Sequence, residues 1–452
     1  MVALALSVTP AAQSTVPHLG YGFNVAEWDI GRLQALGFNW IKLFDVPTTP
    51  LPMNVLVRVD VSAQTSVAEL QADLDLKLAY KDNVVAWEIG NEVNLDASYG
   101  WNAAPDAAAY TTLLCTAYQR IKASDPEAIV VSAGLAPVGR VPETWNGHPG
   151  HNGAFQDERE FLKEMLAAGG GACLDVVGLH PYGFSADFDA VPDVASGDAT
   201  QNCDQGLCFR TAEKFYEVMQ ANGAGDKKIW ATEFGWITQP PDYCLGDPSW
   251  SGRHWQIVTP DKQGANLAGA FQYADAHWPW MGAMFIFNLN FYSAPWYTNE
   301  CDQMLWYSVR AGSPADSALA SLSKNIPSPF GRLKTDTTTI GWLVAVDEQP
   351  AALNASVDLS NWGWQSLVYT ATVNASAEVV PTIISPTGAL SATATTYLNL
   401  SLPAFDRALG TYTGTLTLDW YAAGAGNNPR TVALQVAVVP QLYRTYLPGM
   451  AR

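Results

Sequence analysis

The sequence predicts an α/β protein in which a (β/α)8 TIM barrel is followed by a small all-β sandwich domain. Three observations lead to this expectation. Eight short apolar, β-rich runs occur before residue 295. Segments with helical periodicity separate most of these runs, and such alternation is typical of a closed parallel barrel. From about residue 340 onward, apolar and polar residues alternate between turn residues, and no helical stripe is visible.

The eight runs predict the barrel strands, and the segments between them predict its helices. The runs are 19–26, 38–46, 54–61, 83–92, 128–136, 174–183, 228–236 and 282–291. The segment after the third run places Val67, Leu70, Leu74 and Leu78 on one helical stripe. Only about eight residues separate the second and third runs, so the second helix should be reduced or missing. An open doubly wound sheet is the alternative, but it would usually bring a Gly-rich phosphate turn after the first strand.

Changes in composition predict four parts of the chain. Residues 1–17 form an N-terminal tail, 18–325 the barrel, 326–339 a connector and 340–452 the β-sandwich. The connector is placed where Pro, Gly and Thr become frequent. The final part, which contains "LGTYTGTLTLDW", resembles β-sandwich modules appended to many secreted bacterial enzymes. We expect it to stabilise the barrel by packing against it, and glycan binding is the alternative role.

The charge and the apolar pattern exclude several kinds of partner. The chain has 24 Lys and Arg against 43 Asp and Glu, a formal net charge of −19. A chain this acidic does not hold polyanions non-specifically, so we expect neither nucleic acid nor a membrane as a partner. It also contains no run of about 18 apolar residues that could span a membrane. We expect a monomer.

Six cysteines indicate the compartment. An even number without any C-x-x-C pair favours disulfides over a zinc or thioredoxin-type site, and disulfides form in an oxidising compartment. Cys203 and Cys208 bracket a short loop and are the pair we expect, whereas the remaining connectivity is open. Free buried thiols are the alternative. With disulfides, the protein would be secreted.

Two glutamates stand at strand ends that face the same rim. The fourth run ends in "WEIGNE" and the seventh contains "ATEFG", which brings Glu92 and Glu233 to the C-terminal face of the barrel. Two carboxyl groups about 5–5.5 Å apart are what a retaining glycosidase requires. One of them must donate a proton to the leaving oxygen, and the other must stay ionised to attack the anomeric carbon.

The two motifs "GNE" and "TEFG" resemble those of clan A glycoside hydrolases, such as families 5 and 39. The resemblance covers about residues 18–325 and implies that Glu92 is the acid/base and Glu233 the nucleophile. It also implies that Asn91 bonds the sugar 2-hydroxyl. The "HPY" turn matches the family's His-x-Tyr, so Tyr182 would bond the nucleophile and His180 would contact sugar hydroxyls or brace the carboxylates.

Two positions depart from the clan pattern. Lys42 stands on the second strand, where many members have an arginine near the nucleophile. After the eighth strand, where many have a tryptophan, the chain offers Asn288, Asn290 and, later, Trp296. Lys42, Asn290 and Trp296 are therefore candidate substrate-binding residues.

Strand periodicity places Glu88 on the same face as Glu92 but deeper in the barrel. We expect Glu88 to be structural, with Arg58 and Asp60 on the third strand as candidate partners, because a lone buried charge is costly. Tryptophans near the same rim are candidate platforms for sugar rings. They are Trp101, Trp145, Trp236, Trp250, Trp255 and Trp296.

The sequence therefore predicts a secreted retaining β-glycosidase that acts on a neutral polysaccharide or oligosaccharide. No cofactor is expected, and no metal, because His148 and His151 in the loop after the fifth strand have no evident third ligand. A transglycosidase that uses the same two carboxylates is one alternative. A carbohydrate-binding barrel without catalysis is the other.

Overall fold

A computed structural model describes residues 17–126, 128–139, 155–326, 331–346, 352–361, 363, 365–375, 380–392, 394–403, 408–422 and 429–441. The chain divides into two compact units, of which the first is Leu19–Ile326. The first unit is an eight-stranded parallel barrel surrounded by helices, and the second consists of β-sheets. The predicted fold class is confirmed.

The barrel strands follow one another in sequence order around a closed sheet. They are β1 (Gly20–Asn24), β2 (Trp40–Leu43), β3 (Asn54–Val59), β4 (Ala86–Asn91), β5 (Ile129–Gly134), β6 (Val176–Leu179), β7 (Lys228–Phe234) and β8 (Met281–Ile286). Pairing of Gly20 with Ala283 joins the first strand to the last and closes the barrel. This closure rules out the open doubly wound sheet.

Seven helices surround the strands within the described residues. They are α1 (Ile30–Ala35), α2 (Val67–Leu78), α3 (Ala107–Ser124), α4 (Glu158–Ala167), α5 (Thr211–Ala221), α6 (Pro260–His277) and α7 (Pro314–Ser321). The fully described segment 44–53, between β2 and β3, contains no helix, as the short connection predicted. None of the helices described is long and apolar enough to cross a membrane.

Helix α2 illustrates how the local sequence determines an element. Ser66 and Glu69 form a reciprocal capping box that begins the helix. Leu70, Leu74 and Leu78 are buried against the barrel as predicted, because they lie on one face of the helix. Val67, which was predicted to share that stripe, is instead 40% exposed in the first turn.

The inside of the barrel is filled by a layer of large side chains below the rim at the C-terminal ends of the strands. Trp40 and Trp230 meet edge to face with ring centroids 4.9 Å apart, and Phe285 packs against both. Side chains two residues further along a strand point to the same interior. Lys42 and Thr232 therefore form the next layer, between this apolar core and the rim.

Nine strands belong to the described part of the second unit. They are β9 (Leu333–Lys334), β10 (Thr339–Ala345), β11 (Ala352–Asn361), β12 (Leu367–Ala375), β13 (Thr382–Ile384), β14 (Thr387–Leu390), β15 (Thr395–Pro403), β16 (Gly410–Tyr421) and β17 (Arg430–Val439). Their two sheets have the orders β10-β17-β16-β12-β14 and β13-β15-β11-β9, antiparallel except between β10 and β17. Since β9 pairs with β11, the connector is shorter than the predicted 326–339.

All six cysteines are paired. The disulfides are Cys115–Cys173, Cys203–Cys208 and Cys244–Cys301. The Cys203–Cys208 pair is the one that the short loop predicted. The other two bonds close loops with sequence separations of 58 and 57 residues, which spacing alone could not assign.

Candidate active site

Glu92 reaches the barrel rim through a tight turn at the end of β4. Gly90 has φ +89°, and a Cβ there would meet Val93 and Val61 at about 3 Å, so the turn requires glycine. Glu92 itself has φ +43°, which is uncommon for a residue with a side chain. Its N–H donates to the carbonyl of Gly134 at 2.9 Å, which ties the turn to β5.

Glu233, the penultimate residue of β7, is held at both carboxylate oxygens. The Tyr182 hydroxyl donates to Oε2 at 2.8 Å. The Lys42 ammonium lies 3.3 Å from Oε1. Only 6% of Glu233 is exposed, so this carboxylate depends on protein groups instead of water for its stabilisation.

The two glutamates converge on His180. Its Nδ1 lies 3.0 Å from Glu92 Oε1 and 3.8 Å from Glu233 Oε2. One oxygen of each carboxylate and a ring nitrogen of His180 all lie within 4.8 Å of one another. The ring is packed so closely that a Cβ on Gly134 would come within 2.1 Å of His180 Nε2. The carboxyl groups of Glu92 and Glu233 thus lie opposite each other at the rim, with His180 between them.

The surroundings of Glu233 favour its ionised form. Burial by itself would raise its pKa, but electrostatic interactions with His180 and Lys42 and the hydrogen bond from Tyr182 together lower the pKa to about 2. Burial and the nearby Glu233 carboxylate raise the pKa of Tyr182 well above its usual value. Tyr182 therefore remains a hydrogen-bond donor at any pH near neutrality.

Glu92, His180 and Glu233 form the one group of metal-ligating side chains found among the described residues. The Lys42 ammonium and the Tyr182 hydroxyl both lie against Glu233, and a nearby ammonium disfavours a cation at the same carboxylate. The geometry suits two carboxyl groups that are each hydrogen-bonded to neighbouring side chains better than a metal centre.

The carboxylates open into a cleft of about 1680 Å³. Glu92, Asn91 and Tyr182 line it, together with Trp255 and Trp296. Trp255 and Trp296 are 49% and 53% exposed, so part of each indole ring is accessible at the cleft. Aromatic faces are suited to the C–H patches of sugar rings.

At the rim, the two polar atoms of the Asn91 side chain have different surroundings. Its Nδ2 donates to the carbonyl of Tyr99 at 3.0 Å, whereas its buried Oδ1 has no hydrogen-bond partner in the part of the chain that the structure describes. An unpaired buried acceptor is costly, so Oδ1 is suited to accept from a bound hydroxyl group. Trp145, with His148 and His151, lies outside the described residues.

Three of the predicted tryptophan platforms are buried instead. Trp236 is fully buried, and its indole N–H donates to the carbonyl of Ala186. Trp250 is also fully buried, and Trp101 is 3% exposed. Trp236 was wrongly predicted to bind substrate, because the chain turns inward directly after β7 and packs this side chain into the core.

Asn290 was also wrongly predicted to bind substrate. Its Oδ1 accepts from the N–H groups of Ala26 and Glu27, and its Nδ2 donates to the carbonyl of Glu27. With both ends of its amide used, Asn290 supports the loop that follows β1.

Lys42 and Glu88 pair in a way that the sequence did not predict. Both side chains are fully buried, and the Lys42 ammonium lies 2.7 Å from Glu88 Oε2. Lys42 is thus beneath Glu233 and cannot reach a substrate directly, which corrects its predicted role. The partners predicted for Glu88 pair with each other instead, Arg58 with Asp60 at 2.8 Å.

Several cleft residues were missed by sequence reasoning. Phe287 follows β8 directly and lines the cleft near the place where the clan resemblance suggested a tryptophan. Phe184 stacks on Trp255 with centroids 5.5 Å apart, and it also lines the cleft with Tyr99 and Tyr307. Only Phe287 had a usable signal, its position at a strand end, because the others lie in long loops.

Comparison with known proteins gives structural similarities only. No protein-family model and no curated protein matches this chain. A mutant GH128 (subgroup I) endo-β-1,3-glucanase from Amycolatopsis mediterranei, in complex with laminaripentaose, is 13% identical at a TM-score of 0.40. That alignment covers 67% of this chain and 99% of the glucanase chain.

Bacteroides uniformis β-glucuronidase 2, covalently bound to cyclophellitol-6-carboxylate aziridine, is 13% identical at a TM-score of 0.42. The alignment covers 94% of this chain but only 46% of that one. Both likenesses concern the fold, which strand pairing establishes independently. The resemblance to families 5 and 39 therefore stays a prediction.

Proposed function

We propose that this protein is a retaining glycoside hydrolase that cleaves β-linked oligosaccharides or polysaccharides, with Glu92 as acid/base and Glu233 as nucleophile. The observation that carries the proposal is the distance of at most 4.8 Å between one oxygen of each carboxylate. Retaining enzymes separate the two carboxyl groups by about 5–5.5 Å, whereas inverting enzymes need about 6.5–9.5 Å to admit a water molecule.

The first step forms a glycosyl ester. The ionised Glu233 attacks the anomeric carbon and forms a C–O bond, while the bond to the leaving oxygen breaks and that oxygen takes the proton from Glu92. The lowered pKa of Glu233 supports this role, because the nucleophile must be ionised at neutral pH.

The second step returns both carboxyl groups to their starting states. Glu92, now ionised, removes a proton from a water molecule, which attacks the anomeric carbon and breaks the bond to Glu233. His180, 3.0 Å from Glu92, would orient this carboxyl group throughout. Asn91 Oδ1 would accept a hydrogen bond from a substrate hydroxyl group.

The cleft and the disulfides support the further features of the proposal. A cleft of about 1680 Å³ exceeds the roughly 300–1,000 Å³ of sites for single small ligands, which suits a chain of sugars. Trp255 and Trp296 would support sugar rings within it. Three disulfides fit a secreted protein, because such bonds persist in oxidising compartments.

The test is a hydrolysis screen over β-linked glucans, xylans, mannans, galactans and bacterial exopolysaccharides, with product sizing. The active substrate is then given to Glu233→Ala, which should lose turnover, and azide should restore it with a product of inverted configuration. Glu158→Gln is the control, because Glu158 is buried in the same barrel but lies at the start of α4. An active Glu233→Ala variant would refute the proposal.

A further inference from the structure

The nucleophile shares its lysine with a second buried carboxylate. Lys42 Nζ lies 2.7 Å from Glu88 Oε2 and 3.3 Å from Glu233 Oε1. Its third contact is the carbonyl oxygen of Thr232 at 3.3 Å. The contacts with Thr232 and Glu233 have hydrogen-bond geometry, whereas the contact with Glu88 is an ion pair.

The Lys42 ammonium by itself does not require two carboxylates. One ammonium is already neutralised by one carboxylate, and Glu233 supplies it. Burying another carboxylate carries a large desolvation penalty, so an extra one at this place needs a different explanation. The Lys42 ammonium lies closer to the Glu88 carboxylate than to the Glu233 carboxylate, so its Coulombic attraction to Glu88 is the stronger of the two.

The backbone fixes Glu88 in this position. Gly134 donates its N–H to Glu88 Oε1 at 3.2 Å, and the carbonyl of the same residue accepts from Glu92. Glu88 lies on β4 and Lys42 on β2, so the contact spans the inside of the barrel. The carboxylate of Glu88 is therefore a fixed anchor for the ammonium.

We propose that Glu88 is a positioning residue that holds the Lys42 ammonium back from Glu233, so that the nucleophile keeps the electron density that it needs to attack. This proposal rests on the function proposed above. Without the charge of Glu88, the ammonium would have Glu233 as its only carboxylate partner and would move towards it. A shorter charge-assisted hydrogen bond makes the carboxylate less basic, and a less basic nucleophile attacks more slowly.

The two chemical steps respond differently to this change. Formation of the ester needs a basic nucleophile, so it should slow in Glu88→Gln. Breakdown of the ester is not slowed, because a less basic carboxylate is the better leaving group. A purely structural role for Glu88 would lower stability or the active fraction, but it would leave the ratio of the two rates unchanged.

The experiment uses the 2-deoxy-2-fluoro derivative of whichever activated aryl glycoside the full-length enzyme hydrolyses. Trapping of the ester gives the first rate, and reactivation after removal of the reagent gives the second. We expect Glu88→Gln to slow trapping by up to about tenfold, the limit that one pKa unit at the nucleophile sets, without slowing reactivation. Glu158→Gln should leave the ratio unchanged.

A double variant tests whether Glu88 acts through Lys42. In Lys42→Gln, the further change Glu88→Gln should no longer alter the ratio of trapping to reactivation. The same change of ratio in both backgrounds, or equal slowing of both steps, would overturn the proposal. If Glu88→Gln does not fold, Glu88→Asp is the substitute. It keeps the negative charge but shortens the side chain by one methylene group, so we expect a smaller change in the ratio of trapping to reactivation. An unchanged ratio there overturns the proposal as well.

The two proposals fail in different ways. An active Glu233→Ala variant would refute the proposed function. If Glu233→Ala is inactive but Glu88→Gln keeps the wild-type ratio, the proposed function stands and the role of Glu88 is wrong.

Discussion

Replacing Tyr182 with phenylalanine should move the acidic limb of the pH profile upward. The variant removes one 2.8 Å hydrogen bond to Glu233 Oε2 and little else. A hydrogen bond to a charged group is worth about 1.5–3 kcal/mol, and one pKa unit corresponds to about 1.4 kcal/mol, so we expect a rise of about 1 to 2 units. The pKa of Glu233 would then move from about 2 towards about 3 to 4.

The sign follows from the role of Glu233. Its pKa is lowered in the folded enzyme, so activity is present above that pKa and is lost as the pH falls through it. At pH 3, the ionised fraction of the nucleophile should fall by about 2- to 10-fold in the variant, whereas at pH 7 it should hardly change. Any loss of activity at pH 7 would then be due to a changed position of the Glu233 carboxylate and not to its protonation.

The assay is kcat/KM between pH 2.5 and 7, with circular dichroism to verify the fold at each pH. Tyr307→Phe is the matched control. Its ring lies 5.4 Å from that of Tyr182 in the same cleft, but no hydrogen bond joins it to Glu233 among the described contacts. An acidic limb that stays in place in Tyr182→Phe, or that moves equally in Tyr307→Phe, would refute the reasoning.

Three further predictions concern the other side chains of the site. Glu92→Gln should slow the hydrolysis of aryl glycosides with poor leaving groups far more than that of aryl glycosides with good ones, because good leaving groups need little protonation. Equal slowing across a series of leaving groups would mean that Glu92 is not the acid. Trp255→Ala and Trp296→Ala should each raise KM for long substrates by about 2- to 13-fold with little change in kcat, if each stacking contact is worth about 0.5–1.5 kcal/mol. An unchanged KM would remove that residue from the binding surface. Gly134→Ala should destabilise the fold by about 1–3 kcal/mol in chemical denaturation and lower activity, since its Cβ would come 2.1 Å from His180 Nε2. Wild-type stability and turnover in that variant would show that the packing around His180 can adjust.

The sequence was informative wherever strand periodicity determines the outcome. Strand ends bring residues to a common rim, so Glu92 and Glu233 could be predicted to meet although 141 residues separate them, as 233 − 92 gives. The missing second helix followed from the length of one connection, and the Cys203–Cys208 disulfide from a short loop. In each case, local geometry leaves few alternatives.

Side chains in loops could not be predicted in the same way. Trp236 and Trp255 belong to the same long connection after β7, yet one is buried and the other half exposed. Periodicity gives no information there, because the direction of each side chain depends on tertiary contacts. The partner of Glu88 also lay two strands away, on β2, and not on the adjacent strand. Inside a barrel, long side chains reach across the interior, so strand adjacency does not determine their pairing.

The most direct test of the account is to identify the covalent intermediate. The full-length enzyme is incubated with the 2-deoxy-2-fluoro glycoside of its substrate, and its mass and peptide map are measured, with product anomers followed by NMR on the normal substrate. We predict one fluoroglycosyl group per chain, attached to the peptide that contains Glu233, and a first-formed product of retained configuration. An inverted product, or a sugar attached to Glu92 or to any other residue, would contradict the account.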